Sequence, residues 1–556
     1  MRERTSWHRR LLAGLLTLAT VAVTAVAGAP AGAAPAGGRN YVAISGSGST
    51  WSENALQAWR AAVRQQGMTV NYSGGGSTVG RNNFREGTVD YAVSEIPYGL
   101  EGDGSTRKYA YMPIVAGGTA FMYNLKIGGR RVTNLRLSGE VITKIFTGVI
   151  KQWDDPAIKA DNPGLNLPAR RIVPVVRSDG SGTTAQFVIW MNSQHPGIWR
   201  PYCTSMRSAT QCNVLSFYPT KPGSGFVAQP QSNGVSGYVA QNHAEGAITY
   251  VEYSYALKNS FPVAKVLNSA GYYIEPKATS VAVALTRAEI AADLTQRLDG
   301  VYRNADKRSY PLSSYSYMII PTEPEAGFTQ DKGYTLAKFA YYFLCTGQQS
   351  ADSLGYSPLP KNLVQAGFRQ VERIPGAVRE DIKLETCHNP TFAPDGTNLL
   401  ARDAKDPPAC DQRGPTQCAE GTGGARQATP TGNGGGNNNS GGTGNQNAGG
   451  TNNGGGNSNG GGTNTQNNST PGTAGPSTGG TPQFDPDTGE VIASGDGGGG
   501  QFVAGVPVSL DDEGGWQLRH TMMVLAALIL IALVVGPPLL FRRVATAAGG
   551  DERGRR

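Results

Sequence analysis

Charged residues are scarce in this chain: Asp, Glu, Lys and Arg make up 16% of its 556 residues. The formal net charge is nevertheless +8, and a basic balance is one signature of nucleic-acid binding. Here the Lys and Arg residues are scattered along the chain and form no stripe that could follow a phosphate backbone. No nucleic-acid partner is therefore predicted.

Candidate catalytic groups are also few. Between the two chain ends the sequence has only three histidines, His195, His243 and His388. None of them lies next to a Gly-x-Ser-x-Gly motif or an acidic partner, as a hydrolase with an activated nucleophile requires. The acidic residues are not clustered as a metal site or a pair of catalytic carboxylates needs. The sequence therefore predicts a protein that is not an enzyme and that has neither a cofactor nor a metal.

No cysteine precedes Cys203, so the N-terminal segment has no residue that could be lipidated. Residues 1–33 otherwise have the features of a secretory signal: a basic start, the apolar stretch Leu11–Ala27, and a small-residue cleavage site at Ala31-Gly32-Ala33. An uncleaved anchor is the alternative, and the Ala/Gly/Pro-rich exit of the segment disfavours it. We expect cleavage near Ala33 and export of the mature chain.

The six cysteines of the chain agree with an oxidising, extracellular location. Six cysteines permit 15 pairings, so spacing alone does not fix the connectivity. Short spacings favour two disulfides and leave a third: Cys203 with Cys212, Cys410 with Cys418, and Cys345 with Cys387. No cysteine or histidine cluster has zinc spacing, so these cysteines are predicted to be structural.

The C-terminal part reads as a tether and an anchor. Residues 421–500 are mostly Gly, Asn, Thr and Ser, with almost no large apolar side chain, and predict a disordered linker with a reach on the order of 50 Å. Residues 521–541 form an apolar run long enough to span a bilayer. Because the tail at 542–556 is basic, it should lie in the cytoplasm, which places the rest of the chain outside the cell.

The middle of the chain has the pattern of an α/β fold. Ile172–Val176 predicts a strand, residues 177–184 a turn, and the apolar segment after them a helix. Other predicted strands cover Asn40–Ile44, Thr69–Tyr72 and Val89–Glu95, and each is followed by Ser/Gly-rich sequence or ends on a carboxylate. In open α/β sheets ligands bind beyond the carboxyl ends of the strands, so a binding site is expected there.

The turn at 177–184, Arg-Ser-Asp-Gly-Ser-Gly-Thr-Thr, predicts an anion site. A helix that opens on Ser181 presents free backbone N–H groups and hydroxyls at its positive end. Arg177 adds a planar fork of donors that suits a phosphate-like group, and Asp179 can hold the guanidinium in place. A well-capped helix with an ordinary surface ion pair is the alternative.

These motifs resemble a known family. The turn at 46–51, Gly-Ser-Gly-Ser-Thr-Trp, the segments at 71–77, 154–165 and 246–253, and above all the turn at 177–183 are similar to the phosphate-binding protein (PstS) of bacterial phosphate ABC transporters. The resemblance extends from about Tyr41 to Ile382. It implies a two-lobed, periplasmic-binding-protein-like α/β fold of type II with a hinge.

The resemblance also implies where the lobes lie in the chain. Lobe 1 would comprise residues 40–124 and 311–385, and lobe 2 residues 125–310, with crossings near Asn124 and Tyr310. Residues 386–420 would form a cysteine-containing extension, followed by the linker and the transmembrane helix.

Family roles can be assigned to matching positions of this sequence. Thr50, Trp51 and Ser77 would donate hydrogen bonds to phosphate from lobe 1, supported by Ser49. The donors from lobe 2 would be Arg177, Ser181, Gly182 and Thr183, with Asp179 orienting Arg177.

Two residues depart from the family pattern. Trp51 replaces the usual Phe, which matters little if the contact is a backbone N–H. Glu95 replaces an Asp whose carboxylate accepts the proton of hydrogen phosphate and repels sulfate, so affinity and sulfate rejection depend on how the extra methylene is accommodated. A carboxylate that caps a surface helix is the alternative for Glu95.

The resemblance implies a monomeric extracellular protein that captures inorganic phosphate and delivers it to the permease subunits of an ABC transporter. A cell-surface ectodomain of the same fold, with a sensing or adhesion role or a preference for another oxyanion, would fit the tether and anchor equally well.

Overall fold

The structure, a computed structural model, describes residues 40–206, 211–325 and 327–431. The predicted signal segment, the cytoplasmic tail, the transmembrane helix and most of the linker lie outside these ranges. Among the described residues, no helix is both long and apolar enough to cross a bilayer.

The helices and strands alternate along most of the chain. In chain order they are β1 (Ile44–Gly48), α1 (Glu53–Arg64), β2 (Val70–Ser73), α2 (Ser77–Arg85), β3 (Tyr91–Ser94), β4 (Tyr109–Tyr123), β5 (Lys126–Ile127), β6 (Arg130–Arg131), β7 (Arg136–Leu137), α3 (Gly139–Phe146), α4 (Pro156–Asp161), β8 (Val173–Arg177), α5 (Gly182–Gln194), α6 (Pro196–Met206), β9 (Val227–Gln229), α7 (Gln231–Val239), β10 (Ala247–Glu252), α8 (Tyr253–Lys258), β11 (Lys265–Leu267), β12 (Tyr273–Ile274), α9 (Ala278–Leu285), β13 (Glu289–Ile290), β14 (Gln296–Arg297), α10 (Asp299–Tyr302), β15 (Ser313–Pro321), α11 (Gln330–Leu344), α12 (Lys361–Val371) and α13 (Leu399–Arg402).

The main sheet has eight strands in the order β2-β1-β3-β15-β4-β10-β8-β9. Strands β2, β1 and β3 are mutually parallel, as are β10, β8 and β9, while β15 and β4 run antiparallel to their neighbours. Every residue of β3, β10 and β15 is buried, because helices cover both faces of the sheet. The fold is therefore mixed α/β, as predicted.

Strand β4 joins two lobes. Its first part, up to Gly118, pairs with β15, and from Thr119 onward it pairs with β10. Lobe 1 contains β1–β3, β15 and helices α1, α2, α11 and α12; lobe 2 contains β7–β12 and helices α3–α8. The change of partner at Gly118–Thr119 comes earlier than the predicted crossing near Asn124.

The second connection between the lobes passes through Tyr310, three residues before β15 begins. The Tyr310 hydroxyl donates to the Thr119 carbonyl at 2.6 Å, directly before β15 begins. A side chain at Gly118 would overlap Pro276, whose Cβ lies 2.6 Å from the position of an added methyl group. The two connections between the lobes are therefore closely packed against each other.

The first strand was predicted over Asn40–Ile44, but β1 begins at Ile44 and runs through the Gly/Ser sequence to Gly48. Strand β1 lies between β2 and β3, and its small residues Ser45–Gly48 fit this enclosed position. The Tyr91 ring covers Gly46 so closely that an added Cβ would lie 2.2 Å from a ring carbon. Ser45–Gly48 is therefore a strand that can have no large side chains.

The three predicted disulfides are present: Cys203–Cys212, Cys345–Cys387 and Cys410–Cys418. The second of these fixes the start of the C-terminal extension to the end of α11 in lobe 1.

The C-terminal extension contacts both lobes. In lobe 1 the Thr391 hydroxyl donates to the Leu359 carbonyl at 2.8 Å, and in lobe 2 Asp411 forms a buried ion pair with Lys265 at 2.7 Å. The chain then continues along lobe 2, where Thr422 is buried and donates to the Thr133 carbonyl at 2.9 Å. Residues 421–423 and Thr429 are buried, while residues 426–428 and 430 are exposed. The predicted linker, which starts at residue 421, therefore includes residues that pack against lobe 2.

Candidate functional site

The predicted site residues meet where the two lobes face each other. In lobe 1 they lie after β1, at the start of α2 and just after β3; in lobe 2 they lie at the end of β8 and at the start of α5. All eight are buried: Thr50, Trp51, Ser77, Glu95, Arg177, Ser181, Gly182 and Thr183. Arg177 and Glu95 are therefore not surface groups, although Ser178 in the same turn is exposed.

Glu95 is surrounded by hydroxyl groups. Its Oε2 accepts hydrogen bonds from Ser49 at 2.7 Å and from Ser77 at 2.9 Å, and its Oε1 accepts one from Ser316 at 2.8 Å. Burial raises the pKa of Glu95, although the three hydroxyl bonds and the charge of Arg177 act in the opposite direction. The carboxylate is thus fully desolvated and is held by donors alone.

The start of α5 supplies backbone and hydroxyl donors from lobe 2. Ser181 is the N-cap residue, and its side chain accepts from the Thr184 N–H at 3.2 Å. The Gly182 N–H donates to the Ser77 Oγ across the lobe boundary at 3.1 Å. The Thr183 hydroxyl is buried and has no hydrogen-bond partner in the part of the chain that the structure describes, so it is a donor available to a bound group.

Asp179 holds the guanidinium of Arg177 through both of its carboxylate oxygens. Its Nε donates to Asp179 Oδ1 at 2.7 Å, and its Nη2 contacts the other oxygen of the same carboxylate. Burial on its own would raise the pKa of Asp179, but the hydrogen bonds and charge of Arg177, together with the Gln231 N–H, lower it below its usual value. The side chain of Arg177 is 2% exposed, so one positive charge is fixed inside the protein.

Thr50 and Trp51 complete the lobe 1 side. The Thr50 Oγ1 lies 2.8 Å from the Ser232 Oγ and accepts from the Ser232 N–H at 3.1 Å. The Trp51 N–H, a predicted phosphate donor, donates to the Ser49 Oγ at 2.9 Å. Thr50 therefore joins the two lobes, whereas the Trp51 N–H is used to orient Ser49 and, through it, Glu95.

Two residues of the site were not predicted, Ser232 and Ser316. Ser232 lies at the start of α7 in lobe 2, where its hydroxyl also accepts from Arg177 Nη1 at 3.4 Å. Ser316 lies within β15 and contacts Glu95. Ser232 lies two residues after Pro230, which directly follows β9, and a proline at that place is a weak signal for a helix start. The strand pattern around Ser316 offers no signal.

The site combines one fixed guanidinium, a helix N-terminus and several hydroxyl donors with a single buried carboxylate. Donors of this number suit a tetrahedral oxyanion, and the carboxylate suits an anion that carries a proton. Among the described residues, no group of three or more His, Cys, Asp or Glu could hold a metal ion. The chemistry that these residues offer is the binding of an anion.

Comparison with known proteins gives a consistent set of relatives. A PBP superfamily domain matches residues 29–346. The chain is 31% identical over 329 residues to the phosphate-binding protein PstS of Xylella fastidiosa, and the aligned region covers 58% of this chain and 83% of that protein. It is also 31% identical over 352 residues to the phosphate-binding protein PstS 2 of Mycobacterium tuberculosis, with 60% and 88% of the two chains covered. Among solved structures, a phosphate-binding protein from Stenotrophomonas maltophilia aligns with 64% of this chain and 99% of its own, at 18% identity and a TM-score of 0.45.

Proposed function

The chain belongs to the PstS family of phosphate-binding proteins, and on that premise we propose that it is a solute-binding protein that captures inorganic phosphate between its two lobes. It performs no covalent chemistry: its activity is to bind the anion, hold it and release it. The observation that carries this proposal is the pairing of a buried, Asp179-held Arg177 in lobe 2 with a buried Glu95 in lobe 1.

The ligand contacts are divided between the lobes. Arg177, Ser181, Gly182 and Thr183 bind phosphate oxygens from lobe 2, and the unpartnered Thr183 hydroxyl supports this assignment. From lobe 1 we assign Thr50, Trp51 and Ser77 to the anion, with Ser49 supporting Glu95. The Trp51 N–H and the Ser77 hydroxyl donate to Ser49 and Glu95 in this structure, so they must exchange these partners to contact phosphate. Because the anion contacts both lobes, its binding favours the closed arrangement over an open one.

Glu95 gives the site its preference for phosphate. Near neutral pH phosphate carries at least one proton, which it can donate to the carboxylate, whereas sulfate carries none. A bound sulfate would place its unprotonated oxygen against a desolvated carboxylate and gain no hydrogen bond there. The site should therefore bind phosphate more tightly than sulfate despite their similar size and shape.

Delivery and location follow from the family and from the chain ends. The partner is the permease pair of a phosphate ABC transporter, which accepts the anion from the closed binding protein. The protein acts as a monomer on the outer face of the cell membrane, where the apolar run at 521–541 anchors it and the Gly/Asn-rich linker gives it reach. The uneven charge on either side of that run supports this orientation.

Equilibrium binding of radiolabelled phosphate to the purified protein tests the proposal. We expect saturable binding at one site per chain that excess unlabelled phosphate displaces and equal sulfate displaces far less. If phosphate fails to bind while another oxyanion does, or if no oxyanion binds, the transport function is refuted and the surface-ectodomain alternative gains support.

A further inference from the structure

The carboxylate of Glu95 is held from two sides. Its Oε2 accepts from Ser49 and Ser77, both on turns of lobe 1 that belong to the binding site. Its Oε1 accepts instead from Ser316, which lies in the middle of the sheet and is completely buried. The Ser316 oxygen is in turn 3.0 Å from the hydroxyl of Ser52.

The sheet register explains why Ser316 reaches Glu95. Strands β15 and β3 are antiparallel, and Tyr317 pairs with Ser94, the last residue of β3. Continued by one residue, the same register places Ser316 opposite Glu95, and directly opposed residues of an antiparallel pair have neighbouring side chains. The β15–β4 pairing is irregular between Ser316 and Tyr317, as is common where a strand directs a side chain into a site.

The order of the hydrogen bonds in this chain is fixed by the number of protons. Ser316 has one hydroxyl proton and uses it on Glu95, so its oxygen must accept the proton of Ser52. Ser52 therefore donates to Ser316, and Ser316 donates to the carboxylate. Such a chain polarises each bond toward the acid and holds the carboxylate in one orientation.

A longer acid needs this second support. Relative to Asp, Glu has one more rotatable bond, and a carboxylate held only by Ser49 and Ser77 could turn about that bond. With Ser316 bound to Oε1, rotation would break a hydrogen bond in a site from which water is excluded, which is costly. The brace formed by Ser52 and Ser316 therefore compensates for the extra methylene.

We propose that Ser316, supported by Ser52, is a positioning residue that orients the Glu95 carboxylate and thereby sets the selectivity of the site for phosphate over sulfate. This inference rests on the proposed phosphate-binding function. Neither serine is a ligand of the anion; both act through Glu95.

Calorimetric titration of the Ser316→Ala variant with phosphate and with sulfate tests the inference. Loss of a hydrogen bond to a buried charged group should weaken phosphate binding about tenfold or more, while sulfate binding changes little. The matched control is Ser313→Ala, which removes another buried hydroxyl of β15 that donates to the Tyr310 carbonyl at 2.8 Å. In that variant the ratio of the two affinities should stay at the wild-type value.

A double-mutant cycle with Glu95→Asp separates positioning from a general loss of stability. The shorter acid cannot reach Ser316 and the two turn serines at once, so Ser316→Ala should change the affinity ratio less than twofold in the Asp background. Equal effects of Ser316→Ala in both backgrounds would overturn the inference, as would an unchanged ratio in Ser316→Ala alone.

Two outcomes remain distinct from that failure. If the wild-type protein does not bind phosphate, the proposed function itself is refuted rather than the role of Ser316. If Ser316→Ala does not fold, Ser52→Ala leaves the bond to Glu95 in place but removes its support; it should lower the affinity ratio by a smaller factor, and no change would overturn the inference.

Discussion

Replacing Glu95 with Gln is the most direct perturbation of the anion preference, because it keeps the size of the side chain and removes its charge. The amide oxygen can occupy the position of Oε2, where it still accepts from Ser49 and Ser77. The amide NH2 then faces Ser316, whose hydroxyl can reverse and donate to Ser52 instead. Each hydrogen bond around the residue can thus be kept, and the fold should be retained.

The magnitude follows from the bond that phosphate loses. A hydrogen bond to a charged group contributes about 1.5–3 kcal/mol, so phosphate affinity should fall roughly 10- to 150-fold. Sulfate affinity should not fall, because the neutral amide no longer places a negative charge against an unprotonated sulfate oxygen. The phosphate-to-sulfate affinity ratio should therefore fall by at least the same factor as phosphate affinity.

Calorimetric titration of wild type and variant with each anion, at one pH and one ionic strength, measures the ratio directly. An unchanged ratio would show that Glu95 does not accept the proton of phosphate, and the assignment of that role would fail. Thermal unfolding of both proteins without ligand is the control for folding.

The same variant has a predicted pH dependence. Burial raises the pKa of Glu95 above its ordinary value of 4.5, so the folded protein binds this proton more tightly than the unfolded chain. Its contribution to stability is present below that ordinary value and is lost as the pH rises through the raised one. Glutamine does not titrate, so the Glu95→Gln variant does not lose this contribution. As the pH rises, the free energy of unfolding of the variant should therefore increase relative to that of the wild type.

Four further predictions concern other parts of the molecule. Arg177→Ala should weaken phosphate binding roughly 30- to several-thousand-fold, since truncating one partner of a buried charge pair costs about 2–5 kcal/mol; the same titration would contradict this if affinity changed less than tenfold. Glu252 is buried with one oxygen unpartnered among the described residues, and burial raises its pKa well above the usual range. Glu252→Gln should therefore raise the melting temperature more at pH 8 than at pH 5, and equal shifts at the two pH values would count against a buried neutral acid. Replacing Cys345 and Cys387 by Ser should lower the free energy of unfolding by about 4 kcal/mol, the loop-closure value for a separation of 42 residues, as measured by denaturant unfolding; a loss below about 1 kcal/mol would mean that the unfolded chain is restrained by other means. Protease added to intact cells should release a soluble fragment of nearly full size, and complete protection would show that the predicted membrane orientation is wrong.

Local sequence patterns were sufficient for the elements that carry the anion turn. Ile172–Val176 and the apolar segment after residue 184 have the composition of a buried strand and a helix, and β8 and α5 lie there. The disulfides were favoured because two of the spacings are short. For the first strand the local pattern misled: Ser45–Gly48 has turn-like composition, yet the ring of Tyr91 and the two flanking strands require small residues in an extended conformation.

The two site residues that were not predicted could not be recognised from the sequence around them. Ser232 lies 182 residues from its partner Thr50, and Ser316 lies 221 residues from Glu95. A serine in a strand has no distinctive signature until the register of the sheet is known, and the register depends on contacts distant in sequence. The other site residues were predicted from the resemblance to a family. That resemblance gave no indication of Ser232 or Ser316, so these two serines were found only in the structure.

The C-terminal extension has a consequence for how the lobes can move. Two polypeptide connections at the strand crossing define a single axis, about which one lobe can rotate relative to the other. The extension adds a third tie, fixed at Cys387 in lobe 1 and at Asp411 and Thr422 in lobe 2. With three connections, one lobe is less free to move against the other than with two. We therefore expect the extension to limit twisting and sliding of one lobe against the other more than bending about the two connections at the strand crossing.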